Sequence, residues 1–376
     1  MKKAVIVAQT PFQLYISIII STLIDTPIDL WLIDSHMYSY FNKAKKMGIW
    51  NNVYFANSQL KTNKIYHLYN IIKQQRVIKS YLKFNRPNVV VVFADNNELC
   101  ATFIKYGKKY NQSKNILVEE GVAVYYSPYR VNAPFYKKSI RTILNISNPN
   151  GYTIGWSKDV DCVVLSNKNK AHPQYIKNKE VIEWPKTQYP AFANNFFMDN
   201  NDIDTTLENA ILYLGQPLVE EGIVDINEEF EFLEFLNNNF QKIYIKPHPF
   251  ESIEKYKSFT NISIVPKKWT SIPAEVLFSI IKPSLIISYS SSANVNFSKR
   301  YNKKSIFFIP KSMPPEYIND LEINFKNDDN ILFIHNLNEL KKSMLEVQPE
   351  PQRTNLNEKE IEKNWKKVVL ELFKID

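Results

Sequence analysis

Glycine and cysteine are scarce in this chain, which has seven glycines and two cysteines among 376 residues. Two cysteines, Cys100 and Cys162, cannot build a disulfide framework or a cysteine-based metal site, and so small a number favours a reducing cytoplasm. No Walker A loop or glycine-rich dinucleotide fingerprint occurs. The apolar run at 14–24 is short and contains serine and threonine, so we expect a buried helix rather than a signal peptide or a membrane span.

The pattern of a metal-bridged diphosphate site is also missing. Asp-x-Asp occurs at 159–161 and at 202–204, but neither copy follows a predicted strand, where such a metal would be held. A metal site is therefore not predicted. The net charge of +9 suits an anionic partner, which could be nucleic acid, a membrane surface or a substrate. The lysines are distributed along the chain, so a lysine-rich composition without a specific role explains the charge equally well, and no basic-aromatic segment indicates a nucleic-acid partner.

Short runs rich in valine and isoleucine alternate with helical patterns. Strands are predicted at 4–8, 28–33, 53–56, 89–94, 116–118 and 162–165, with helices at 64–84 and 98–110. A proline-, asparagine- and aspartate-rich stretch at 185–208 is a candidate linker. A second series follows, with strands at 211–214, 243–246, 262–265, 285–288, 306–309 and 331–334, and helices at 228–239, 273–281, 293–298 and 357–373. Continuous apolar strands separated by helices are typical of parallel sheets covered on both faces.

The predicted architecture is α/β, with two doubly wound Rossmann-like domains facing a cleft, the arrangement that is called GT-B in glycosyltransferases. We expect an N-terminal domain at 1–190, a C-terminal domain at 205–352 and a C-terminal helix at 353–376. In open parallel sheets, ligands bind beyond the carboxyl ends of the strands, so the cleft is the expected site. The fold alone does not define a reaction.

Paired carboxylates lie in two of the loops that follow predicted strands. Glu119 and Glu120 precede Gly121 directly after one strand, and Glu220 and Glu221 lie in a loop of the second series. Two adjacent carboxylates repel each other, and one with a raised pKa would suit a general base. Taken alone, a solvated acidic loop explains the first pair better, and the second pair is more typical of a helix cap or a solvated face.

His248 stands out among the five histidines by its position. It follows a predicted strand in the sequence Lys246-Pro247-His248-Pro249, where two prolines restrict its backbone. An imidazole and a lysine at the carboxyl end of a strand can donate hydrogen bonds to a phosphate. A loop histidine with incidental prolines is the alternative.

A serine run and a glutamate begin two predicted helices of the second series. Ser290, Ser291 and Ser292 precede the helix at 293–298, and hydroxyls with unpaired N–H groups at a helix N-terminus bind anions. Simple N-capping accounts for the serines as well. Glu275 lies in the first turn of the helix at 273–281, where the helix dipole alone would favour a carboxylate.

These motifs occur in a fixed order that resembles a known family. The order is Thr10-Pro11-Phe12-Gln13, Glu119-Glu120-Gly121, Gly215-Gln216-Pro217, Lys246-Pro247-His248-Pro249 and Ser290-Ser291-Ser292. The sequence resembles the bacterial sialyltransferases of glycosyltransferase family 52 and is similar to the related bacterial polysialyltransferases. These families share an acidic-acidic-Gly motif, a His-Pro motif and a serine motif.

The resemblance implies a GT-B fold and an inverting, metal-independent sialyltransferase without a cofactor. It would move sialic acid from CMP-sialic acid to a terminal galactoside of a bacterial surface glycan, either lipooligosaccharide or capsule. The acidic-acidic-Gly motif implies Glu119 or Glu120 as the base. In family 52 proper, a carboxylate beside the Gly-x-Pro loop has this role, but here Leu218 replaces the expected aspartate, so the identity of the base stays open.

The resemblance also implies a donor site in the second domain and an acceptor side in the first. His248 would protonate or stabilise the departing phosphate, the serines would hold it, and Glu275 would bind the ribose, with Ile272 and Pro273 near the base. The implied nucleotide-binding residues are Gly215, Gln216, Lys246, Pro249, Ile272, Pro273, Glu275, Ser290, Ser291 and Ser292. The implied acceptor-side loop contains Thr10, Pro11 and Gln13.

Two other classes of protein remain open at this point. One is a GT-B enzyme that uses UDP-glucose or UDP-N-acetylglucosamine, and the other is a non-catalytic polysaccharide assembly protein. The expected partners are a nucleotide-sugar donor and a glycan or glycolipid acceptor, with a homodimer left open. The lysine-bearing tail helix suits peripheral contact with the inner face of the cytoplasmic membrane, and packing against the first domain explains it equally well.

Overall fold

The structure is a computed structural model that describes residues 3–57, 64–125, 139, 141–146, 154–171, 178–185, 189–198, 209–345 and 357–374. The chain forms two compact units. The first contains Met1–Pro185, Tyr189–Phe196 and Glu358–Asp376, and the second contains Lys186–Gln188 and Phe197–Asn357. The chain therefore leaves the first unit, builds the second and returns to the first with its last helix.

The first unit is built on a parallel sheet of seven strands in the order β3-β2-β1-β4-β5-β6-β7. Its strands are β1 (Ala4–Ala8), β2 (Ile28–Ile33), β3 (Asn52–Ala56), β4 (Val89–Val92), β5 (Lys114–Val118), β6 (Cys162–Leu165) and β7 (Glu180–Glu183). Its connecting helices are α1 (Pro11–Thr22), α2 (Tyr38–Met47), α3 (Lys64–Asn85) and α4 (Glu98–Asn111). The central strands β1, β2 and β4 are buried along their whole length, which explains their unbroken apolar sequences.

The second unit repeats this plan with a parallel sheet of six strands in the order β10-β9-β8-β11-β12-β13. Its strands are β8 (Ile211–Leu214), β9 (Ile243–Lys246), β10 (Ile262–Ile264), β11 (Leu285–Ser288), β12 (Ser305–Phe308) and β13 (Ile331–Ile334). Its helices are α5 (Ile226–Asn239), α6 (Lys267–Thr270), α7 (Ala274–Ile281), α8 (Ser292–Tyr301), α9 (Pro315–Phe325) and α10 (Leu337–Leu345). Both sheets reverse strand order beside their first strand, at β1/β4 and β8/β11, where doubly wound sheets bind ligands.

The predicted α/β class with two parallel sheets is confirmed. Small differences lie at the element ends: β4 stops at Val92, because residues 93–97 form the loop that leads to α4. The structure also contains β7, α2, α6, α9 and α10, which the sequence pattern did not predict. The proposed domain limits at 190, 205 and 353 stay predictions.

The last helix, α11 (Glu358–Leu372), packs against the first unit. Its buried side chains are Ile361, Trp365, Val369 and Leu372. The Trp365 ring centroid lies 4.9 Å from that of Trp184 and 5.9 Å from that of Tyr189. The apolar face of this helix is therefore covered by protein, and its lysines lie on the solvent side. Among the described residues, no helix combines the length and the apolarity that crossing a bilayer requires.

Candidate active site

The sequence-predicted residues of the first unit meet at the carboxyl edge of its sheet. Thr10 Oγ1 donates to Glu120 Oε1 at 2.6 Å, and Gln13 Nε2 donates to Glu120 Oε2 at 2.5 Å. Thr10 also caps α1, because its hydroxyl oxygen accepts from the backbone N–H of Gln13 at 3.2 Å, and Pro11 begins the helix. The Glu120 carboxylate thus lies at the N-terminus of α1, where the helix dipole favours negative charge.

Glu119 bonds to a different part of the unit, although it is the next residue in sequence. Its carboxylate is buried and accepts from the Tyr125 hydroxyl at 2.8 Å, from the backbone N–H of Ser166 and from the Ser166 hydroxyl at 3.1 Å. Burial and the charge of Glu119 raise the pKa of Tyr125, so this phenol stays protonated and donates. Glu119 therefore links the ends of β5 and β6, and Glu120 joins the loop of Thr10 and Gln13.

In the second unit, the Gly-Gln-Pro loop and the serine run bind each other. The Gln216 amide accepts from the backbone N–H of Ser290 at 2.6 Å and donates to the Ser290 hydroxyl at 2.9 Å. The Ser290 hydroxyl lies 3.0 Å from that of Tyr317 on α9. Because β8 and β11 are adjacent at the strand-order reversal, these two loops form one surface at the carboxyl edge of the sheet.

His248 lies on the other side of the β8 loop and is held by Glu251. The Glu251 carboxylate is buried and accepts from the backbone N–H of His248 at 2.6 Å and from the Tyr256 hydroxyl at 2.9 Å. It also packs on Gly215, where an added Cβ would collide with Oε2 of Glu251. Only glycine leaves room for the Glu251 carboxylate at this position, and this close approach brings the β8 and β9 loops into contact.

The orientation of the His248 ring suits donation from Nε2. His248 Nδ1 accepts from the backbone N–H of Phe250 at 3.3 Å. A neutral imidazole with an accepting Nδ1 carries its proton on Nε2. Pro247 is buried and Pro249 is exposed, so the proline pair fixes the loop from both sides of the histidine.

Lys246 and Glu275 lie near each other at the same edge. The Lys246 ammonium donates to the carbonyl oxygen of Thr270 at 2.8 Å. Burial lowers the pKa of Lys246 to about 8, while the negative charges of Glu275 and Glu251 act in the opposite direction. Glu275 is buried and accepts from the amide of Asn296, on α8, at 2.7 Å. Glu275 thereby joins α7 to the helix that follows the serine run.

The remaining predicted residues have more local roles. Ile272 and Pro273 are buried immediately before α7. Ser291 is the N-cap of α8, since its hydroxyl oxygen accepts from the backbone N–H of Ala293 at 3.3 Å, and Ser292 begins that helix. Glu220 accepts from the backbone N–H of Ser252 at 3.2 Å and pairs with Lys255 at 3.4 Å.

Glu221, the neighbour of Glu220, differs from it in pKa. Partial burial and the charge of Glu220 raise the pKa of Glu221. By contrast, partial burial also raises the pKa of Glu220, but backbone hydrogen bonds and Lys255 together outweigh that effect and hold its pKa below the usual value. No group of three or more His, Cys, Asp or Glu side chains suited to a metal ion occurs in the described part of the chain.

Sequence reasoning missed three residues that hold this site together: Glu251, Asn296 and Tyr317. Glu251 had a signal, because it lies three residues after His248, the spacing of a side chain that accepts from a turn N–H. Asn296 and Tyr317 have no local signal, since each acts on a residue more than twenty positions away.

The two parallel-sheet units define the class of protein, a GT-B fold of two Rossmann-like domains. UDP-GlcNAc 2-epimerase from Neisseria meningitidis bound to UDP-GlcNAc has a similar structure, with a TM-score of 0.58 and 12% identity over 99% of both chains. Arabidopsis thaliana UGT89C1 complexed with UDP gives a TM-score of 0.57 and 9% identity over 99% of both chains. At such low identity, these similarities show the fold alone.

The sequence then defines the family. The alpha-2,8-polysialyltransferase family matches residues 28–309, and the chain belongs to this family. An uncharacterized protein of Haemophilus influenzae is 24% identical over 228 residues, which cover 58% of this chain and 68% of that protein. The chain is therefore a glycosyltransferase of the sialyltransferase type, and the predicted family resemblance is confirmed.

Proposed function

We propose that this protein is an inverting sialyltransferase that uses CMP-sialic acid and a hydroxyl of a bacterial surface glycan, without a metal. One observation carries the proposal. The loops after β8, β9 and β11 are joined by Gln216, Ser290 and Glu251 at one edge of the sheet, where Lys246, His248 and the serine hydroxyls also lie. Such donors suit the phosphate of a departing nucleoside monophosphate.

In the proposed reaction, the acceptor hydroxyl oxygen attacks the anomeric carbon of sialic acid. The bond from that carbon to the phosphate oxygen breaks, and CMP leaves with the electron pair. His248 Nε2–H and the Lys246 ammonium donate hydrogen bonds that stabilise the charge developing on the phosphate. Ser290 holds a phosphate oxygen, and Glu275 binds the ribose hydroxyls.

The acceptor hydroxyl loses its proton to Glu120. Three hydrogen bonds occupy Glu119 between β5 and β6, whereas Glu120 is oriented by Thr10 and Gln13 at the end of α1. These contacts favour Glu120 of the two as the base. A terminal galactoside of lipooligosaccharide or capsule is the proposed acceptor, on the family resemblance alone.

Replacing His248 tests the donor half of the proposal. We expect His248→Ala to lower turnover of CMP-sialic acid by roughly 10²-fold or more, because it removes a hydrogen-bond donor that stabilises the charge on the leaving phosphate. The melting temperature should stay within a few degrees, since the ring is only half-buried. His335→Ala is the matched control, because this exposed histidine follows the edge strand β13 and lies 3.7 Å from Glu322. Wild-type turnover in His248→Ala would remove its catalytic role.

Ligand binding distinguishes the donors. A ligand that binds the folded state raises the melting temperature, so CMP should stabilise the protein more than UDP or GDP at equal concentration. Stabilisation by UDP and not by CMP would favour a UDP-sugar enzyme. Stabilisation by CMP without any transfer would indicate an assembly protein.

Metal removal tests the last part of the proposal. Because Lys246, His248 and the serine hydroxyls supply the charge stabilisation in this mechanism, EDTA should leave turnover unchanged. The measurement is initial rate with and without EDTA, followed by added Mg²⁺ or Mn²⁺. Loss of turnover that a metal restores would overturn metal independence.

A further inference from the structure

The outer face of α3 is unusual for a helix on the surface of a soluble unit. The inner face is apolar as expected, with Ile71, Ile78 and Leu82 buried. Yet large apolar and aromatic side chains also lie on the outside, where polar residues are normal. These are Tyr66, Tyr69, Val77 and Phe84, exposed to 56%, 61%, 48% and 87%.

These four side chains lie along one line. Their spacings of three, eight and seven residues, with Lys73 and Ser80 between them, follow the period of an α-helix, so they form a single ridge. From Tyr66 to Phe84 this ridge is about 27 Å long at 1.5 Å per residue. A straight, outward-facing ridge of this length can contact an extended flat surface along its whole length, whereas a small ligand would contact only part of it.

Cations accompany the ridge and have no acidic counterpart. Lys73 lies within it, and Arg76, Lys79 and Lys83 lie along one flank. Lys79 and Lys83 lie over the rings of Tyr106 and Tyr110 at 4.2 and 5.1 Å from their centroids, and none of the four pairs with an acidic residue in the described part of the chain.

The sequence around α3 also has an excess of basic over acidic residues. Residues 35–94 contain ten Lys or Arg and no Asp or Glu, so this segment carries more positive charge than the chain as a whole, whose net charge is +9. The positive charge of the molecule is therefore concentrated in the part of the first unit that includes α3. An anionic partner is the complement of such a surface.

We propose that the outer ridge of α3 binds an anionic lipid surface. Aromatic and aliphatic side chains beside lysine and arginine are the composition of helices that lie in the interface plane of a membrane. A soluble polyanion would satisfy the cations but would leave Val77 and Phe84 exposed, so the apolar ridge favours lipid. The inference does not depend on the reaction that the enzyme catalyses.

Vesicle sedimentation of the full chain tests the proposal. The vesicles are phosphatidylcholine alone and an equal mixture of phosphatidylcholine and phosphatidylglycerol. We expect binding to the mixed vesicles that weakens with salt, and little binding to neutral ones. The double variant Lys73→Gln/Arg76→Gln should weaken the partition coefficient by about fivefold for each cation removed. Phe84→Ser should weaken it at all salt concentrations, because it removes an apolar contact.

Matched variants elsewhere control for charge and apolarity. Lys341→Gln/Lys342→Gln removes two exposed cations from α10, and Ile323→Ser removes an apolar side chain of 67% exposure from α9. Both should bind vesicles like the wild type, and all variants should keep the wild-type melting temperature.

Three results would overturn the proposal. The first is absence of binding to the mixed vesicles, and the second is equal weakening by the control variants. The third is binding to dextran sulfate that depends on Lys73 and Arg76 without sedimentation on any vesicle, which would identify a polyanion surface instead.

Discussion

Glu119 and Glu120 are adjacent after β5, yet their carboxylates bond in opposite directions, one to the loop after β6 and the other to the loop after β1. Side chains alternate in direction along extended backbone, so one carboxylate reaches Ser166 and Tyr125 while the next reaches Thr10 and Gln13. The buried Glu119 carboxylate with its three donors suits a structural role, whereas the half-buried Glu120 carboxylate suits the proposed role of base. Replacing Glu119 should therefore mainly lower stability, whereas replacing Glu120 should mainly lower turnover.

The paired substitutions Glu120→Gln and Glu119→Gln test this difference. Glu120→Gln removes the proposed base, and we expect turnover to fall by roughly 10²-fold or more with a small change in stability. Glu119→Gln keeps the shape but replaces a charged acceptor in a buried network, and we expect a loss of about 1–3 kcal/mol of unfolding free energy. Turnover at several pH values and denaturant unfolding are the measurements.

The two variants serve as controls for each other. If Glu119→Gln abolished turnover in a protein of wild-type stability while Glu120→Gln remained active, the assignment of the base would be reversed. If both lost stability equally, neither loss of turnover could be attributed to proton transfer.

At the scale of elements, the site depends on the strand order around β8. The loops after β9 and β11 lie on either side of the β8 loop, and Lys246 ends β9. Because burial lowers the pKa of Lys246 to about 8, this ammonium is charged at neutral pH and loses its charge as the pH rises through that value. The proposed phosphate-binding surface thus contains a lysine whose pKa lies well below the ordinary value.

We expect the affinity for CMP to fall above about pH 8 in the wild type, as Lys246 deprotonates. Lys246→Met should bind CMP more weakly at pH 7 and should lack this decrease. Calorimetric titration with CMP across this pH range is the measurement. Lys303→Met is the control, because burial also lowers the pKa of Lys303, which lies before β12 at the opposite edge of the sheet. A decrease that persists in Lys246→Met would assign the titration to another group.

The same pKa shift has a consequence for stability with a definite sign. Between about pH 8 and 10.5, the unfolded chain holds a proton on Lys246 that the folded chain has released. The contribution of this residue to the free energy of unfolding therefore rises with pH across this window and is least favourable below it.

The elements were predictable from the sequence to a greater degree than the contacts between them. Apolar runs bounded by loops predicted the twelve strands named from the sequence, because a strand buried on both faces must be apolar throughout. β7 was not predicted, because it lies at the edge of the sheet and half of its sequence, Glu-Val-Ile-Glu, is polar. α2 was not predicted, because only Tyr40 and Ala44 are buried and its sequence therefore has no clear apolar stripe.

Contacts between loops were beyond the reach of sequence pattern. The motif order indicated that Gln216 and Ser290 belong to one site, but their two hydrogen bonds arise from the adjacency of β8 and β11. The contact of Glu251 with Gly215 depends likewise on the adjacency of β8 and β9. Strand order is set by the packing of the whole sheet, which no local pattern specifies.

At the scale of the whole molecule, acidic residues are distributed less evenly than lysines. Lysines do occur throughout the chain, but acidic residues are absent from 35–94. Net charge depends on both signs, so the distribution of lysine alone concealed a strongly basic segment in the first unit. The proposed lipid-binding ridge follows from the missing acids as much as from the cations present.

The last helix contributes to the core of the first unit. After the second unit, α11 returns to the first and inserts Trp365 between Trp184 and Tyr189, where it is fully buried. Removing a large buried aromatic side chain typically costs about 3–5 kcal/mol. We therefore expect Trp365→Ala to lower the thermal stability of the first unit markedly, although this residue is close to the C-terminus.

The second unit should be affected much less, because α11 belongs to the first unit. In Trp365→Ala we expect calorimetry to show an early transition that CMP does not shift and a later one that CMP raises, since CMP is proposed to bind the second unit. Lys366→Ala, at the next and exposed position, should change stability by at most about 0.5 kcal/mol. A Trp365→Ala protein that melts like the wild type would show that the helix is an attached tail and not part of the core of the first unit.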